Sequence, residues 1–361
     1  MTDTLTPAEV FPPGEFLRDE LDERGWAIAE FAEIIGRPVQ AVSEIINGRK
    51  SITPETAAEI GHALGTSAAL WLNLQTAYQL HTLDTDRHSL RDVDRRARLR
   101  SLVPIAEIKR LGWIPNECSL DECEQAVADL LGMDDLDGPF AFAAAARRSN
   151  HDEGLTPAQR AWLGQVRQLG EIPAVAALDL DGVGDIGKEL ARRFLQPNDF
   201  RAIVGDLAAV GVALAVVPAL QGSKIDGAAL RCGGRAIVGL SLRGKRFDGL
   251  VFTLAHELAH IHLGHLSNQS ATLDENLTGN SDDPDARNPI EVEADQRASS
   301  WLFPAEPQLT PPISKAEVIA VAHQIGCHPA LVVGRLQWRG LLPWTHRLGL
   351  VPSISPDDLG L

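Results

Sequence analysis

The chain has few aromatic residues and no long apolar run. Phe, Trp and Tyr make up 5% of its 361 residues, and Tyr78 is the only tyrosine. The longest apolar stretch, from Val210 to Leu220, contains a glycine and is too short to span a bilayer. The first residues lack the basic start and apolar core of an export signal. We therefore expect a cytoplasmic protein without a membrane segment.

Cysteine is also scarce. Cys118, Cys123, Cys232 and Cys327 form no CxxC pair. Isolated thiols in a chain of this length are typical of a reducing compartment, in which disulfides are rare. The sequence therefore predicts no disulfide framework.

Acidic residues outnumber basic ones, 49 to 33, which gives a formal net charge of −16. This balance argues against non-specific coating of nucleic acid but leaves room for a small DNA-reading surface. Hydrophobic residues make up 44% and charged residues 23% of the chain. These values exclude general disorder and collagen-like repetition, and the length predicts two or three domains.

A small β-sheet is predicted only in the middle of the chain. Val212–Val217 is short and β-branched, and apolar runs at 228–232 and 236–242 flank Gly233 and Gly234, which is typical of a hairpin. Helical periodicity dominates elsewhere. The predicted fold class is therefore mostly α with a small β-sheet, that is, α+β.

The strongest chemical motif is His256-Glu257-Leu258-Ala259-His260, within a helix predicted over Phe247–Gly264. Residues four apart on a helix lie one turn above each other, so both imidazoles can bind one metal ion. Glu257 would lie on the rim of the same face as general base, and Gly249 would leave room for a ligand. The alternative is a helix with two surface histidines and a solvated glutamate.

A third metal ligand is predicted in the next helix, which starts near Pro289 and ends before Pro304. Glu291 and Asp295 share one face, so Glu291 can bind the metal while Asp295 orients a histidine ring. Glu293 points away and would pair with Arg297. The alternative for these acids is ordinary surface charge.

Two further histidines follow the motif. His262 is predicted to pack in the core, and His265 lies beyond Gly264, past the helix end. The polar segment 267–289 joins the two metal helices as a predicted loop and lid.

The run from Phe252 to His260 and the run from Glu291 to Pro304 together look like the ImmA/IrrE family of gluzincin-like peptidases. The resemblance implies one Zn²⁺ per chain (Mn²⁺ as the alternative) and a repressor-type protein as substrate. Because Tyr78 is far away in the sequence, a histidine, an arginine or the metal must stabilise the oxyanion.

The N-terminal residues have the spacing of a helix-turn-helix. Helices are predicted from Phe11 to Gly25, from Ala27 to Ile35 and from Val39 to Asn47, with Thr53 capping the next. The predicted core positions are Phe31, Ala32, Ile35, Val42, Ile45 and Ile46.

Residues 10–80 look like the HigA-type antitoxins of the Xre class. The resemblance implies a homodimer that binds operator DNA and, in some members, a cognate toxin. Bases would be contacted by Val39, Gln40, Ser43 and Glu44, and phosphates by Asn47, Arg49 and Lys50. The alternative is a module kept for dimerisation or protein contact.

Together these patterns predict four parts. They are an all-α helix-turn-helix domain (1–80), a charged linker and helical connector (81–170), a minimal zincin-like metallopeptidase domain (171–305) and a C-terminal helical cap (306–361). The hypothesis is a DNA-binding regulator with a zinc peptidase that cuts a repressor or itself. The alternative is a non-enzymatic HigA-like repressor or antitoxin in which the metal site is structural or sensory.

Overall fold

A computed structural model describes residues 10–85, 87–138, 140, 154–266, 271–272, 274–275 and 288–359. The chain forms two compact units, residues 1–95 and 96–361. The described residues are mostly helical with one small sheet, so the predicted α+β class is confirmed. The four-part division stays a prediction.

The first unit is built from short helices with tight turns. Its helices are α1 (Pro13–Arg24), α2 (Ile28–Ile34), α3 (Val39–Ile46), α4 (Pro54–Leu64) and α5 (Ala68–Thr85). Thr53 accepts a hydrogen bond from the Thr56 backbone N–H at 3.4 Å and caps α4, as predicted. The helical prediction for this unit is confirmed to within two residues at most ends.

The core of the first unit forms where α1 to α5 meet. Leu17, Ile60 and Trp71 are buried there. They pack with five of the six predicted core residues, Phe31, Ala32, Val42, Ile45 and Ile46. The sixth, Ile35, is half-buried at the edge of the cluster.

The charged segment predicted as a linker forms α6 (Arg87–Leu102), and the boundary between the units falls inside this helix. The second unit continues with α7 (Ile105–Arg110), α8 (Leu120–Leu131), α9 (Pro157–Glu171), α10 (Leu180–Arg193), a 3₁₀ turn (Pro197–Asp199) and α11 (Phe200–Ala209).

The sheet has the strand order β1-β3-β2-β4. Its strands are β1 (Val212–Val217), β2 (Ile225–Cys232), β3 (Arg235–Ser241) and β4 (Asp274–Glu275). β2 and β3 form the predicted antiparallel hairpin, whereas β1 pairs with β3 in parallel. The sheet supports the helix that carries the histidines.

Helices cover both faces of this sheet. On one face, Trp162 and Val166 of α9 share a buried cluster with Ile237 of β3. On the other face, α12 (Phe247–His262) packs Val251, Leu254 and Leu258 against the sheet residues. The predicted apolar side of α12 is thus confirmed.

The remaining helices complete the second core. They are α13 (Pro289–Leu302), α14 (Lys315–Ile325), α15 (Pro329–Trp338) and α16 (Pro356–Leu359). In the described part of the chain, no single helix is long and apolar enough to cross a membrane; α14 and α15 pass that test only as a pair bent by 109°.

One cysteine prediction is wrong. Cys118 and Cys123 form a disulfide, with their Cα atoms 5.6 Å apart. Cys118 precedes α8 and Cys123 lies in its first turns, so the entry into the helix brings the two residues together. Cys232 and Cys327 are free thiols, as expected.

Candidate metal centre and helix-turn-helix surface

Two histidines of α12 and one glutamate of α13 bring their ligand atoms together. His256 and His260 are completely buried, and Glu291 faces them from the next helix. The two Nε2 atoms are 2.9 Å apart, and Oε2 of Glu291 lies 3.3 Å from each of them. The three residues predicted as metal ligands therefore meet at one point.

The chemistry of these donors and the distance of Glu291 from each imidazole suit zinc. Ligands about 2.0–2.1 Å from a tetrahedral Zn²⁺ lie roughly 3.3 Å apart, which is the separation of Glu291 from each imidazole. Two imidazoles and a carboxylate form a common zinc donor set. Among the residues that the structure describes, this cluster has three members.

Acidic groups of α13 fix the charge and orientation of the cluster. Asp295 Oδ1 lies 2.9 Å from His256 Nδ1, on the side of the ring opposite Glu291. Burial raises the pKa of Glu291, but the hydrogen bonds with His256 and His260 outweigh it and hold this pKa well below its usual range. Glu291 is therefore a carboxylate at neutral pH.

Glu257 follows His256 directly in α12 and is completely buried. Its Oε2 accepts a hydrogen bond from the Thr272 hydroxyl at 3.3 Å. A Cβ at Gly227 of β2 would lie 2.6 Å from Glu257 Oε1, so the bare backbone of Gly227 makes room for the carboxylate. The packing of α12 on β2 thus holds the candidate base in the interior.

The two following histidines occupy different places. His262 is half-buried and its Nδ1 contacts the Leu180 carbonyl at 2.9 Å, so it lies at the edge of the core rather than inside it as predicted. His265 Nδ1 lies 3.0 Å from His260 Nδ1, and His265 Nε2 lies 3.4 Å from Glu293 Oε2. Burial, followed by the charge of His260, lowers the pKa of His265. The contact of Glu293 with His265 was not predicted, because helical spacing made Arg297 the expected partner of Glu293.

An apolar cavity lies along the first half of α12. Its volume is about 60 Å³, and Gly249, Phe252, Trp338 and Trp344 are among the residues that line it. Phe252 is one turn before His256, and the two rings are 6.3 Å apart. The cavity therefore lies beside the part of α12 that precedes the histidines.

A second, more polar cavity lies beside it. Its volume is about 360 Å³, and its lining includes Gly249, Thr253, Lys245 and Arg347. Thr253 is one turn before Glu257 on the same helix. Gly249 lines both cavities, in agreement with the open space predicted at this residue. The predicted lid, in contrast, falls mostly outside the described residues.

The free thiols do not offer an alternative nucleophile. Burial raises the pKa of both Cys232 and Cys327 to about 11. At neutral pH both side chains are therefore thiols rather than thiolates, and only thiolates are good nucleophiles. The chemistry of the second unit thus centres on the histidine and glutamate cluster.

The second candidate site is the outer face of α3. Val42, Ile45 and Ile46 point into the core, which leaves the opposite face of the helix at the surface. The seven predicted DNA contacts lie on α3 or within four residues of its end. Five of them are exposed, namely Val39, Gln40, Asn47, Arg49 and Lys50, and two are half-buried, namely Ser43 and Glu44. The structure therefore brings these seven residues to one surface.

Local hydrogen bonds order this surface. The Gln40 amide donates to Glu44 Oε1 at 3.1 Å, and the Asn47 amide donates to the Ser43 carbonyl at 2.8 Å. Arg18 of α1 donates to Asn47 Oδ1 at 3.2 Å. Arg18 was not predicted at this surface, because its contact with Asn47 depends on the packing of α1 against α3.

Comparison with known proteins identifies the N-terminal part. Residues 17–71 match the family described as Helix-turn-helix (HTH_3). The chain is 33% identical over 79 residues to an uncharacterized HTH-type transcriptional regulator, YddM of Escherichia coli, which covers 21% of this chain and 84% of that protein. It is 34% identical over 79 residues to virulence-associated protein I of Dichelobacter nodosus, and this match covers 22% of this chain and 73% of that protein.

Solved structures similar to this chain include small antidote proteins. A putative antidote protein of a plasmid maintenance system from Nostoc punctiforme is 39% identical, covers 24% of this chain and 96% of its own, and has a TM-score of 0.22. The antitoxin HigA of Pseudomonas aeruginosa, solved with the higBA promoter, is 31% identical, covers 23% and 90%, and has the same TM-score of 0.22.

The predicted helix-turn-helix is confirmed by the match over residues 17–71 and by α2 and α3, which lie within that range. The similarity to YddM covers most of that regulator's length. Through its N-terminal unit, the chain belongs to the helix-turn-helix family of transcriptional regulators.

Proposed function

We propose that this chain is a DNA-binding transcriptional regulator whose second unit is a zinc-dependent peptidase. One observation carries the peptidase proposal, namely the meeting of His256, His260 and Glu291, with the buried Glu257 next to His256 in the same helix. Hydrolytic zinc sites have such a set of three protein ligands with one open position.

The chain's own residues would hold one Zn²⁺, with Mn²⁺ as the alternative, through Nε2 of both histidines and a carboxylate oxygen of Glu291. When bound, the metal supplies Lewis-acid polarisation of a carbonyl and lowers the pKa of water. Asp295, 2.9 Å from His256 Nδ1, keeps the proton on that nitrogen and leaves Nε2 free to bind.

Glu257 would act as general base and then as general acid. Its carboxylate accepts a proton from the attacking water and passes it to the amine that leaves when the peptide bond breaks. Contact with β2 at Gly227 and the hydrogen bond from Thr272 restrict the positions that this carboxylate can take. Such restriction favours proton transfer at a fixed place.

A protein substrate would lie along α12. The apolar cavity beside Phe252 can receive an apolar side chain, and the cavity beside Thr253 can receive a polar one. The resemblance noted above points to a repressor-type regulator, or this chain itself, as the protein that is cut. A homodimer and a cognate toxin stay predictions.

The competing function is a repressor with a structural or sensory metal. A structural zinc site is normally closed by four protein ligands. In the described ranges the cluster has three, since His262 contacts Leu180 and His265 contacts the far nitrogen of His260. This arrangement supports the peptidase.

The test compares cells that express the wild type, Glu257→Gln or the surface control Glu189→Gln. Mass spectrometry of new protein termini should reveal cleavage products with the wild type and the control. Glu257→Gln leaves the three metal ligands intact but removes the base, so the same products should be absent. Identical products in all three strains would contradict the peptidase proposal.

A further inference from the structure

A third histidine, His265, connects the proposed metal centre to an acid on the surface. His265 Nδ1 lies 3.0 Å from Nδ1 of His260, and His265 Nε2 lies 3.4 Å from Glu293 Oε2. The His265 side chain is 9% exposed, whereas that of Glu293 is 59% exposed. The contacts thus run from the buried centre through His265 to the surface of α13.

The end of α12 explains why His265 returns to the helix. Gly264 has a φ of 73°, in the left-handed region that glycine adopts without strain. Its N–H donates to the Ile261 carbonyl, and the N–H of His265 donates to the His260 carbonyl, 3.0 Å away. These two bonds form a Schellman motif, which folds residue 265 back over residue 260.

The protonation pattern along this chain of contacts is consistent at every step. A neutral histidine that binds a metal through Nε2 carries its proton on Nδ1. The Nδ1–H of His260 would therefore donate to the bare Nδ1 of His265. His265 then carries its own proton on Nε2, from which it donates to the Glu293 carboxylate. Each donor faces an acceptor.

We propose that His265 and Glu293 form a positioning relay that holds His260 with its Nε2 directed at the metal. The relay rests on the proposed zinc site, and it does for His260 what Asp295 does for His256. Asp295 contacts its histidine directly at 2.9 Å. Glu293, two residues earlier on α13, reaches the other histidine only through His265. Neither residue touches substrate in this role.

Zinc affinity of the full chain, measured by competition with a chromophoric chelator, tests the relay. His265→Leu removes both hydrogen bonds and should weaken zinc binding about 10- to 100-fold, as loss of such supporting contacts does at other metal sites. His265→Asn keeps an acceptor for His260 and should recover most of the affinity. The absorption spectrum of the Co²⁺ form should change in the leucine variant and return toward the wild type in the asparagine variant.

Two comparisons separate positioning from general damage. His262→Leu removes another histidine from the same helix end and should leave zinc affinity unchanged. Glu293→Ala should weaken zinc binding in the wild-type background but have no further effect in His265→Leu, because the two residues act in series. If circular dichroism shows that His265→Leu does not fold, the zinc affinities of His265→Asn and Glu293→Ala test the relay instead.

The outcomes distinguish the relay from the site on which it rests. A wild type that binds no zinc overturns the metal centre and the relay together. A wild type that binds zinc with an affinity unchanged in both His265→Leu and Glu293→Ala leaves the metal centre intact and overturns the relay.

Discussion

At the scale of single residues, His328 couples the stability of α15 to pH. Its Nδ1 accepts a hydrogen bond from the Ala330 backbone N–H at 3.0 Å and so caps the helix. The His328 ring also meets Phe247 edge to face, with centroids 4.9 Å apart. Burial lowers the pKa of His328, although the charge of Asp248 partly opposes this shift. The cap needs the neutral ring.

Acid should therefore weaken this part of the fold. Because the pKa of His328 is lower in the folded state, the unfolded chain takes up a proton first as pH falls below about 6.5. The cap therefore makes its full contribution to the free energy of unfolding above about pH 6.5. This contribution decreases as the pH falls from about 6.5 toward the lower pKa of the folded state. His328→Asn, a cap that does not titrate, should reduce the fall in stability between pH 8 and pH 5.5 in chemical denaturation. An identical pH dependence in both proteins would contradict this role.

At the scale of elements, the helix-turn-helix depends on a close contact between α1 and α3. A Cβ at Gly14 would lie 2.3 Å from the Ile45 carbonyl oxygen and 2.6 Å from that of Ile46. Both neighbours are backbone atoms, which cannot move without shifting α3. The absence of a side chain at Gly14 therefore sets the position of the predicted DNA-contact helix.

Gly14→Ala should destabilise the first unit by about 1–3 kcal/mol, as overpacking typically does. Gly205→Ala is the matched control, since no atom outside the local helix lies within 4 Å of its Cβ and alanine favours helix by roughly 0.5–1 kcal/mol. Denaturation, with hydrogen exchange of peptides from α1 and α3, measures the change. Equal protection of these peptides in wild type and Gly14→Ala would argue against the contact.

Elements with a strong local pattern could be predicted from the sequence. β1 was placed at Val212–Val217, the limits that the structure gives, because a short β-branched run has few alternatives. The spacing of His256 and His260 is a property of any helix, so their meeting was also predictable. Glu291 could be predicted as the third ligand because it shares one face of the next predicted helix with Asp295.

Contacts between distant elements could not be predicted. The parallel pairing of β1 with β3 and the approach of Glu293 to His265 depend on how α12, α13 and the sheet pack together. Helical spacing alone made Arg297 the expected partner of Glu293. The burial of Glu257 was missed for the same reason, because it results from the contact with β2 at Gly227.

At the scale of the whole molecule, a net charge of −16 restricts how the chain can bind DNA. Arg49 and Lys50 are exposed at the end of α3, so positive charge is available close to the predicted base contacts. We expect specific binding to the chain's own promoter and weak binding to unrelated duplexes, both falling as salt increases.

Removing either charge should change the salt dependence in a defined way. Arg49→Gln or Lys50→Gln should reduce the slope of log affinity against log salt by about 1 and weaken binding to all duplexes alike. Lys188→Gln, an exposed cation of α10, serves as control and should leave the slope unchanged. Electrophoretic mobility shifts at several salt concentrations measure it. If none of these variants alters the slope, Arg49 and Lys50 do not contact the phosphates and DNA binds at another surface.

In the proposed site, α12 and α13 would hold one metal ion between two imidazoles and a carboxylate. The most direct measurement is the zinc content of the purified full chain by mass spectrometry. We predict about one zinc per chain in the wild type and in Glu257→Gln, and almost none in His256→Ala. A wild type without zinc, or a His256→Ala variant that keeps its zinc, would rule out this metal site.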